Sequence, residues 1–288
     1  MKPARFTFSI VTPSRNSGPW IRRCVGSVRG QQDVRYEHII QDAESGDGTP
    51  QWLQAQQDLT WDSRPDSGMY EAIGKGWAKA KGDIFSWLNA DEQYLPGTLK
   101  AVESAFACNP EADCIFGDCI FVDETGEPVA ARREIPLRHA YVANGYLYAM
   151  SCTLFFRRRL YDGGMLKFDS RYALAADMDL VLGLFENKTR FLHLPEYLSL
   201  FGVTSRNQSA SKTILDESEH VRNRHGALKA RPLRNLVLAG RYVERLLRGC
   251  YCRKPVSYQF AANEVPTYES HSASSLGTRF TFESLQKR

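Results

Sequence analysis

The chain has 288 residues, 43% of them hydrophobic and 24% charged, enough to bury one large core, or a core and a smaller appendage, without help from disulfides. No stretch reaches the roughly 18 apolar residues of a membrane-spanning helix, and no apolar run follows the basic residues near Met1, so a helical membrane protein is excluded and a cytoplasmic location is expected. The net charge is +4, but the positive charge is local to one C-terminal segment and no nucleic-acid-binding module is recognised, so nucleic acid is not expected as the partner.

Phe6 to Val11 reads as a buried first strand. The loop Thr12-Pro-Ser-Arg-Asn-Ser-Gly18 follows, and then Trp20, Ile21, Cys24, Val25 and Val28 recur at helical spacing. Tyr36 to Gln41 is a second strand ending in Asp42-Ala-Glu-Ser-Gly-Asp-Gly-Thr49, where Thr49 can cap a helix with Pro50 at its first position. A short strand near Leu59 to Trp61 leads to Asp66 and a helix from about Ser67, with Met69, Ala72, Ile73, Trp77 and Ala80 on one face. Ile84 to Leu88 is the next strand, and it ends in Asn89, Asp91 and Glu92. Strands alternating with helices predict an α/β domain with a mainly parallel, doubly wound sheet. Its ligand edge is the carboxyl end of the strands, so these acidic groups are expected to face a ligand.

Beyond Gly97 the pattern predicts a helix from Thr98 to Cys108, a hairpin over Ile120 to Val129, a strand from Ser151 to Phe156 and a helix from Ala173 to Phe185. Asp177 and Asp179 sit near the start of that last helix, where the helix dipole favours negative charge. Residues 221–254 hold ten Lys or Arg against the single acid Glu244, a local +9 that leaves −5 for the rest. Within this segment Leu233, Leu236, Val237, Val243, Leu246 and Leu247 form a stripe opposite Arg234, Arg241, Arg245 and Arg248. Residues 211–254 are therefore expected to be a basic helical extension to a domain spanning 1–210. The stripe would pack on that domain or a second subunit, or residues 231–254 would lie on an anionic membrane. Residues 255–288 are polar and Ser-rich, the composition of a partly disordered tail. The seven scattered cysteines suit buried, reduced thiols, and Cys250-Tyr-Cys252 lacks the second pair of a zinc site.

Four segments taken in order resemble the GT-A glycosyltransferases of family two, of the type that builds bacterial surface polysaccharides. They are Ser9-Ile-Val-Thr-Pro-Ser-Arg-Asn16, Asp42-Ala-Glu-Ser-Gly-Asp-Gly-Thr49, Asp66-Ser-Gly-Met-Tyr-Glu-Ala-Ile-Gly-Lys-Gly76 and Gly82-Asp-Ile-Phe-Ser-Trp-Leu-Asn-Ala-Asp91. The resemblance covers roughly residues 7 to 208 and implies a nucleotide-diphosphate sugar donor, with UDP the first expectation. It also implies Mg²⁺ or Mn²⁺ at Asp91, the last acid of the family's Asp-x-Asp motif; Asn89 stands at the first acid and Ala90 between them. Asp42 matches an acid that contacts base or ribose, and Thr12, Pro13, Arg15 and Asn16 belong to the turn around the same nucleoside. Asp66 either contacts the nucleotide or caps the helix after it, and Lys75 is a candidate for charge against the diphosphate.

Inverting transfer needs a general base for the acceptor hydroxyl. Asp177 matches that position, and Asp179 would assist it or bind acceptor. The family's usual residues are replaced at Ala43, Gly74, Asn89 and Ala176, which keeps a second reading open, that of an inactive nucleotide-sugar binder or regulatory partner of another transferase. No Gln-x-x-Arg-Trp motif occurs, so one sugar per encounter is expected, delivered to a hydroxyl of a glycan or lipid-linked oligosaccharide. The enzyme could work as a homo-oligomer or at the inner face of a membrane.

Overall fold

The computed structural model describes residues 6–204 and 212–278. Its first half follows the sequence pattern closely. Strand β1 (Thr7–Ser14) leads through α1 (Gly18–Arg29) to β2 (Arg35–Asp42), then through α2 (Thr49–Gln54) to β3 (Thr60–Ser63), and through α3 (Met69–Trp77) to β4 (Ile84–Trp87). These four strands are parallel in the order β3-β2-β1-β4. β1 is buried from Phe8 to Ser14, its Ser9, Thr12 and Ser14 included, as befits a strand covered on both faces. Their carboxyl ends, and so their polar loops, share one edge. Thr49 does begin α2, but its side chain makes no capping hydrogen bond.

Past β4 the sheet turns mixed. The elements are β5 (Glu92–Tyr94), α4 (Thr98–Cys108), β6 (Cys114–Val122), β7 (Pro128–Arg132), α5 (His139–Asn144), β8 (Phe155–Arg157), α6 (Arg158–Asp162), α7 (Ala176–Glu186) and β9 (Phe191–Gly202). β8 runs antiparallel between β4 and the start of β6, and β7 takes over that side of β6 from Cys119. β9 lies parallel on the other side of β6, and β5 closes the sheet antiparallel to β9. The strand expected from Ser151 starts only at Phe155, because Ser151–Thr153 form one 3₁₀ turn. Trp77 and Trp87 are core residues: Trp77 stacks on Phe168 at 5.2 Å and Trp87 on Phe156 at 5.9 Å.

The C-terminal region departs from expectation twice. After α8 (Lys212–Arg224) and α9 (Arg231–Leu247), the chain forms a hairpin of β10 (Lys254–Ala261) and β11 (Tyr268–Leu276) where the composition suggested a tail. The reason is a short alternation in which Val256, Tyr258 and Phe260 are buried while Ser257 and Gln259 are exposed. The hairpin is tied to the main domain through Gln93, whose amide exchanges hydrogen bonds with the backbone of Ala261 at 2.8 and 3.2 Å, and through the Tyr258 hydroxyl, which donates to the Gly126 carbonyl at 2.6 Å. Residues 279–288 of that expected tail, and the expected boundary at 210, lie outside the described residues.

Helix α9 is the second departure, because its arginines face inward. Arg241 and Arg245 are each only 6% exposed, and both converge on Glu134, at 3.4 and 3.6 Å, which also binds Arg132 at 2.6 Å. The Arg241 guanidinium lies over the rings of Tyr148 and Tyr146 at 4.2 and 4.6 Å. A buried carboxylate serving three guanidiniums is costly to remove, since each loses its counter-charge in a dry site. Glu134→Gln should therefore lower unfolding stability by about 3 kcal/mol, read as a shift in the urea midpoint.

Candidate active site

The loops at the carboxyl ends of the parallel strands form one side of a cleft of about 640 Å³. From β1 come Pro13, Ser14 and Arg15; from the N-terminal turn of α3, Asp66, Ser67, Gly68 and Tyr70; and from the end of β4, Asn89, Ala90 and Asp91. The rest of the lining is mostly apolar, with Leu147, Ala149, Met150, Phe201 and Ile214 beside the hydroxyl-bearing Ser151 and Thr204. Asp177, from the first turn of α7, lines the same cleft.

Of the residues singled out from the sequence, Pro13, Arg15, Asp66, Asn89, Ala90, Asp91 and Asp177 therefore line one cleft. Thr12, Asn16, Asp42, Lys75 and Asp179 do not, and in each case local bonds account for it. The Thr12 hydroxyl is buried against His38 Nε2 at 2.8 Å. Asn16 accepts the Gly46 N–H on Oδ1 at 2.9 Å and gives its own N–H to Ser45 Oγ at 2.7 Å, pinning the β1 loop to the β2 loop. The Asp42 carboxylate, 2% exposed, accepts from Ser45 N–H, Ser45 Oγ and Ser63 Oγ at 3.0, 2.5 and 2.6 Å. It organises the loop from below. Lys75 donates to the Pro65 carbonyl at 2.9 Å and pairs with Glu71 at 2.8 Å. Asp179 is held by Arg224 and His225, both at 2.9 Å, and so fastens α8 to α7.

Asp66 lines the cleft, and its Oδ1 accepts the Gly68 N–H at 3.0 Å just ahead of α3, whose N-cap Gly68 receives no side-chain capping bond. Gly68, at φ 137°, holds a conformation that side-chain-bearing residues rarely adopt.

The acidic turn after β4 separates its two carboxyl groups. Glu92 is 1% exposed and turned away from the ligand side, a correction to the expectation that it faces a ligand. Its carboxyl accepts the Asn89 N–H at 2.8 Å and the Ser151 hydroxyl at 3.2 Å. Burial raises its pKa, and the neighbouring charge of Asp91 raises it further. Asp91 also titrates above the usual carboxylate range because burial disfavours its charge. Asn89 Oδ1 is buried and has no hydrogen-bond partner. An orphaned acceptor beside a carboxylate whose charge lacks a partner fits a cation or ligand hydroxyls placed there. Among the described residues, no group of three or more His, Cys, Asp and Glu could hold a metal ion by itself.

Asp177 titrates at about 6, raised by desolvation and held down partly by the Met178 N–H, which donates to Oδ1 at 2.8 Å, and by the Tyr70 hydroxyl. That hydroxyl also reaches the Leu174 carbonyl at 3.1 Å. Three contributors escaped the sequence reading. Tyr70 and Ser151 act through hydroxyls that spacing does not reveal, and a Cβ at Gly202 would strike the Asp91 carbonyl oxygen, so the glycine lets the end of β9 pack against the acidic turn.

The profile of glycosyl transferase family 2 matches residues 9–164, more than half of the chain. The chain belongs to this family. An uncharacterized glycosyltransferase of Mycobacterium tuberculosis is 36% identical over 91 residues, covering 31% of this chain and 35% of the relative. The match thus spans about a third of that relative's length. A PGL/p-HBAD biosynthesis glycosyltransferase of Mycobacterium bovis is 26% identical over 73% of this chain and 81% of its own length. Among solved structures, S. aureus TarS in complex with UDP-GlcNAc superposes with a TM-score of 0.62 at 17% identity, covering 84% of this chain and 73% of TarS. A Pyrobaculum calidifontis mannosyltransferase in complex with GDP-Man and Mn²⁺ superposes at 0.57 and 17% identity, over 83% of this chain and 70% of the other. The GT-A architecture expected from the four segments is the one the chain adopts.

A raised carboxyl pKa is also a statement about stability. Asp177 binds its proton more tightly folded than unfolded, so folding stability falls as pH rises from about 3.8 to about 6 and the cost is complete above that. Asp177→Asn, which carries no charge to desolvate, should raise unfolding stability near neutral pH by about 2–3 kcal/mol and have little effect near pH 4, measured by denaturant melts at the two pH values.

Proposed function

We propose that the protein transfers a single sugar, with inversion, from a nucleotide-diphosphate sugar to an acceptor hydroxyl. The observation that carries this reading is the meeting of Asp91 and Asp177 in one cleft of a family 2 fold, each carboxylate raised by burial but facing different chemistry. Arg15, at the mouth of the β1 loop, supplies positive charge on the donor side. Asn89 and Asp91 would hold Mg²⁺ or Mn²⁺ together with the donor's phosphate oxygens, and the ion would neutralise the departing diphosphate. The UDP-GlcNAc complex of TarS and the GDP-Man and Mn²⁺ complex of the Pyrobaculum enzyme support a nucleotide sugar and a divalent ion, with UDP the first candidate here.

Asp177 takes the acceptor's proton as the acceptor oxygen bonds to the anomeric carbon, while the anomeric carbon–phosphate oxygen bond breaks. Tyr70 orients that carboxylate, and a base near pH 6 is ionised at neutral pH without losing its basicity. Asp179, committed to Arg224 and His225, positions α8 rather than handling protons. The apolar wall favours an acceptor with an apolar portion, such as a lipid-linked glycan, over a free hydrophilic sugar.

Thermal shift and calorimetry with UDP, GDP, dTDP and CDP, each with and without Mn²⁺ or Mg²⁺, test the donor site. One diphosphate should bind in a metal-dependent way, and Asp91→Ala should abolish that dependence. Binding of no nucleotide under any condition would remove the donor reading. Asp177→Asn should bind the same nucleotide normally yet lower the transfer rate by about 10²–10⁴, and the wild-type rate should rise with pH through about 6. Normal donor binding without any transfer in the wild type would instead identify a regulatory binder.

A further inference from the structure

Helix α9 turns an amphipathic pattern inside out. Its inward stripe is Arg234, Leu238, Arg241 and Arg245, residues spaced to share one face. Arg234 donates to the Asn144 carbonyl at 3.1 Å and pairs with Glu219 at 3.0 Å, while Arg241 and Arg245 go to Glu134. The outward stripe is Leu233, Leu236, Val243, Leu246 and Leu247, which are 53, 69, 50, 54 and 82% exposed. A lone exposed leucine is ordinary, but five large aliphatic side chains along one helix leave a continuous apolar surface that needs a cover.

Charge decides between the candidate covers. The exposed ionic groups at the ends of the stripe are Lys229 and Arg231 before it and Arg248, Arg253 and Lys254 after it. The single acid of residues 226–254, Glu244, is turned to Arg138 at 2.7 Å as well as to Arg248 at 3.3 Å. Two copies joined through this face would set cationic end against cationic end whether the helices ran parallel or antiparallel. A leaflet containing anionic lipid suits both features, taking the leucines at its acyl boundary and the cationic ends at its phosphates. The helix has 17 residues, roughly 25 Å of rigid rod at 1.5 Å per residue, enough to lie along such a surface.

We propose that the outward face of α9 is a membrane-docking surface for anionic bilayers. The docked helix is braced through Arg234 on Asn144, and only three residues further along the chain Leu147 begins the apolar wall of the cleft. Docking thus couples the membrane to the acceptor side of the cleft through a short, ordered segment.

Flotation of the full chain with vesicles of phosphatidylcholine alone, or with phosphatidylglycerol at about one third, tests this without any nucleotide present. Binding to the mixed vesicles should be roughly tenfold tighter than to the neutral ones and should weaken with added salt. The double substitution Leu236→Glu and Leu247→Glu should reduce it by roughly tenfold or more with an unchanged melting temperature, and Arg253→Glu with Lys254→Glu should remove the preference for anionic lipid. Three outcomes overturn the proposal: no binding to the anionic vesicles, binding unmoved by the leucine substitutions, or a dimer in sedimentation velocity that those substitutions dissociate. Because no donor enters the assay, its failure leaves the transfer chemistry standing, and failure of nucleotide binding leaves the docking surface standing.

Discussion

The buried carboxyl of Glu92 is the joint on which the donor side of the cleft depends. It accepts the Asn89 N–H from the turn after β4 and the Ser151 hydroxyl from the 3₁₀ turn ahead of β8, so one side chain links the parallel half of the sheet to the mixed half. Burial and the adjacent Asp91 both favour its protonated form, which leaves the anionic role to Asp91 alone. Two adjacent carboxyl groups thus acquire different tasks from their surroundings, the usual way in which one fold divides structural from chemical work. Gly202 completes the arrangement by letting the end of β9 close against the Asp91 backbone, where any side chain would push the turn outward.

That the first four strands are parallel was legible because strand segments followed by polar loops alternate there with amphipathic helices, the rhythm of a parallel α/β unit, whereas their spatial order β3-β2-β1-β4 was not. The positions of Asn89 and Asp91 were legible for the same reason, since both follow a strand at the ligand edge, whereas the pattern showed only that Asp177 starts a helix and the family resemblance brought it to the site. What the sequence does not reveal is whether a polar side chain has acceptors to spare. Asp42 looks as suited to a ribose as Asp91 does to a cation, yet it is buried and already accepts three hydrogen bonds from Ser45 and Ser63. Asp179 sits two residues from Asp177 and is spent on Arg224 and His225, which lie some 45 positions further on. Some of these bonds are local, as with Ser45, and others cross the chain, as with Ser63, Arg224 and His225, and periodicity carries no record of either.

Helix α9 shows the same limit on a larger scale. A stripe of leucines opposite a stripe of arginines defines two faces but does not say which is inside. The default assigns leucine inward, because burying a guanidinium is expensive. Here the cost is offset by Glu134, more than a hundred residues upstream, and by the rings of Tyr146 and Tyr148. Replacing such a buried cluster by hydrocarbon is often stabilising elsewhere, so its presence is better explained by orientation than by stability. Leucines pointing inward would have given the domain more core and left the helix with no apolar surface to offer.

The two walls of the cleft inherit their chemistry from the two halves of the sheet. Parallel strands end in polar turns whose backbone N–H groups and short acidic side chains stand together, a surface suited to a ribose, a diphosphate and a cation. The mixed half reaches the cleft through the 147–151 segment and the end of β9, which bring Leu147, Ala149, Met150 and Phe201 with the hydroxyls of Ser151 and Thr204 but no charged group. Asp177 sits where these surfaces meet, at a helix N-terminus that favours its ionised form while burial opposes it. A base balanced in this way is sensitive to what closes over it. An acceptor with an apolar body, seated on the apolar part of the lining, would exclude water from the carboxylate and strengthen it as a base when the hydroxyl is in place. On the proposed mechanism the apolar lining would contribute to proton transfer as well as to acceptor choice, because the contact that recognises the acceptor would also dry the carboxylate that deprotonates it.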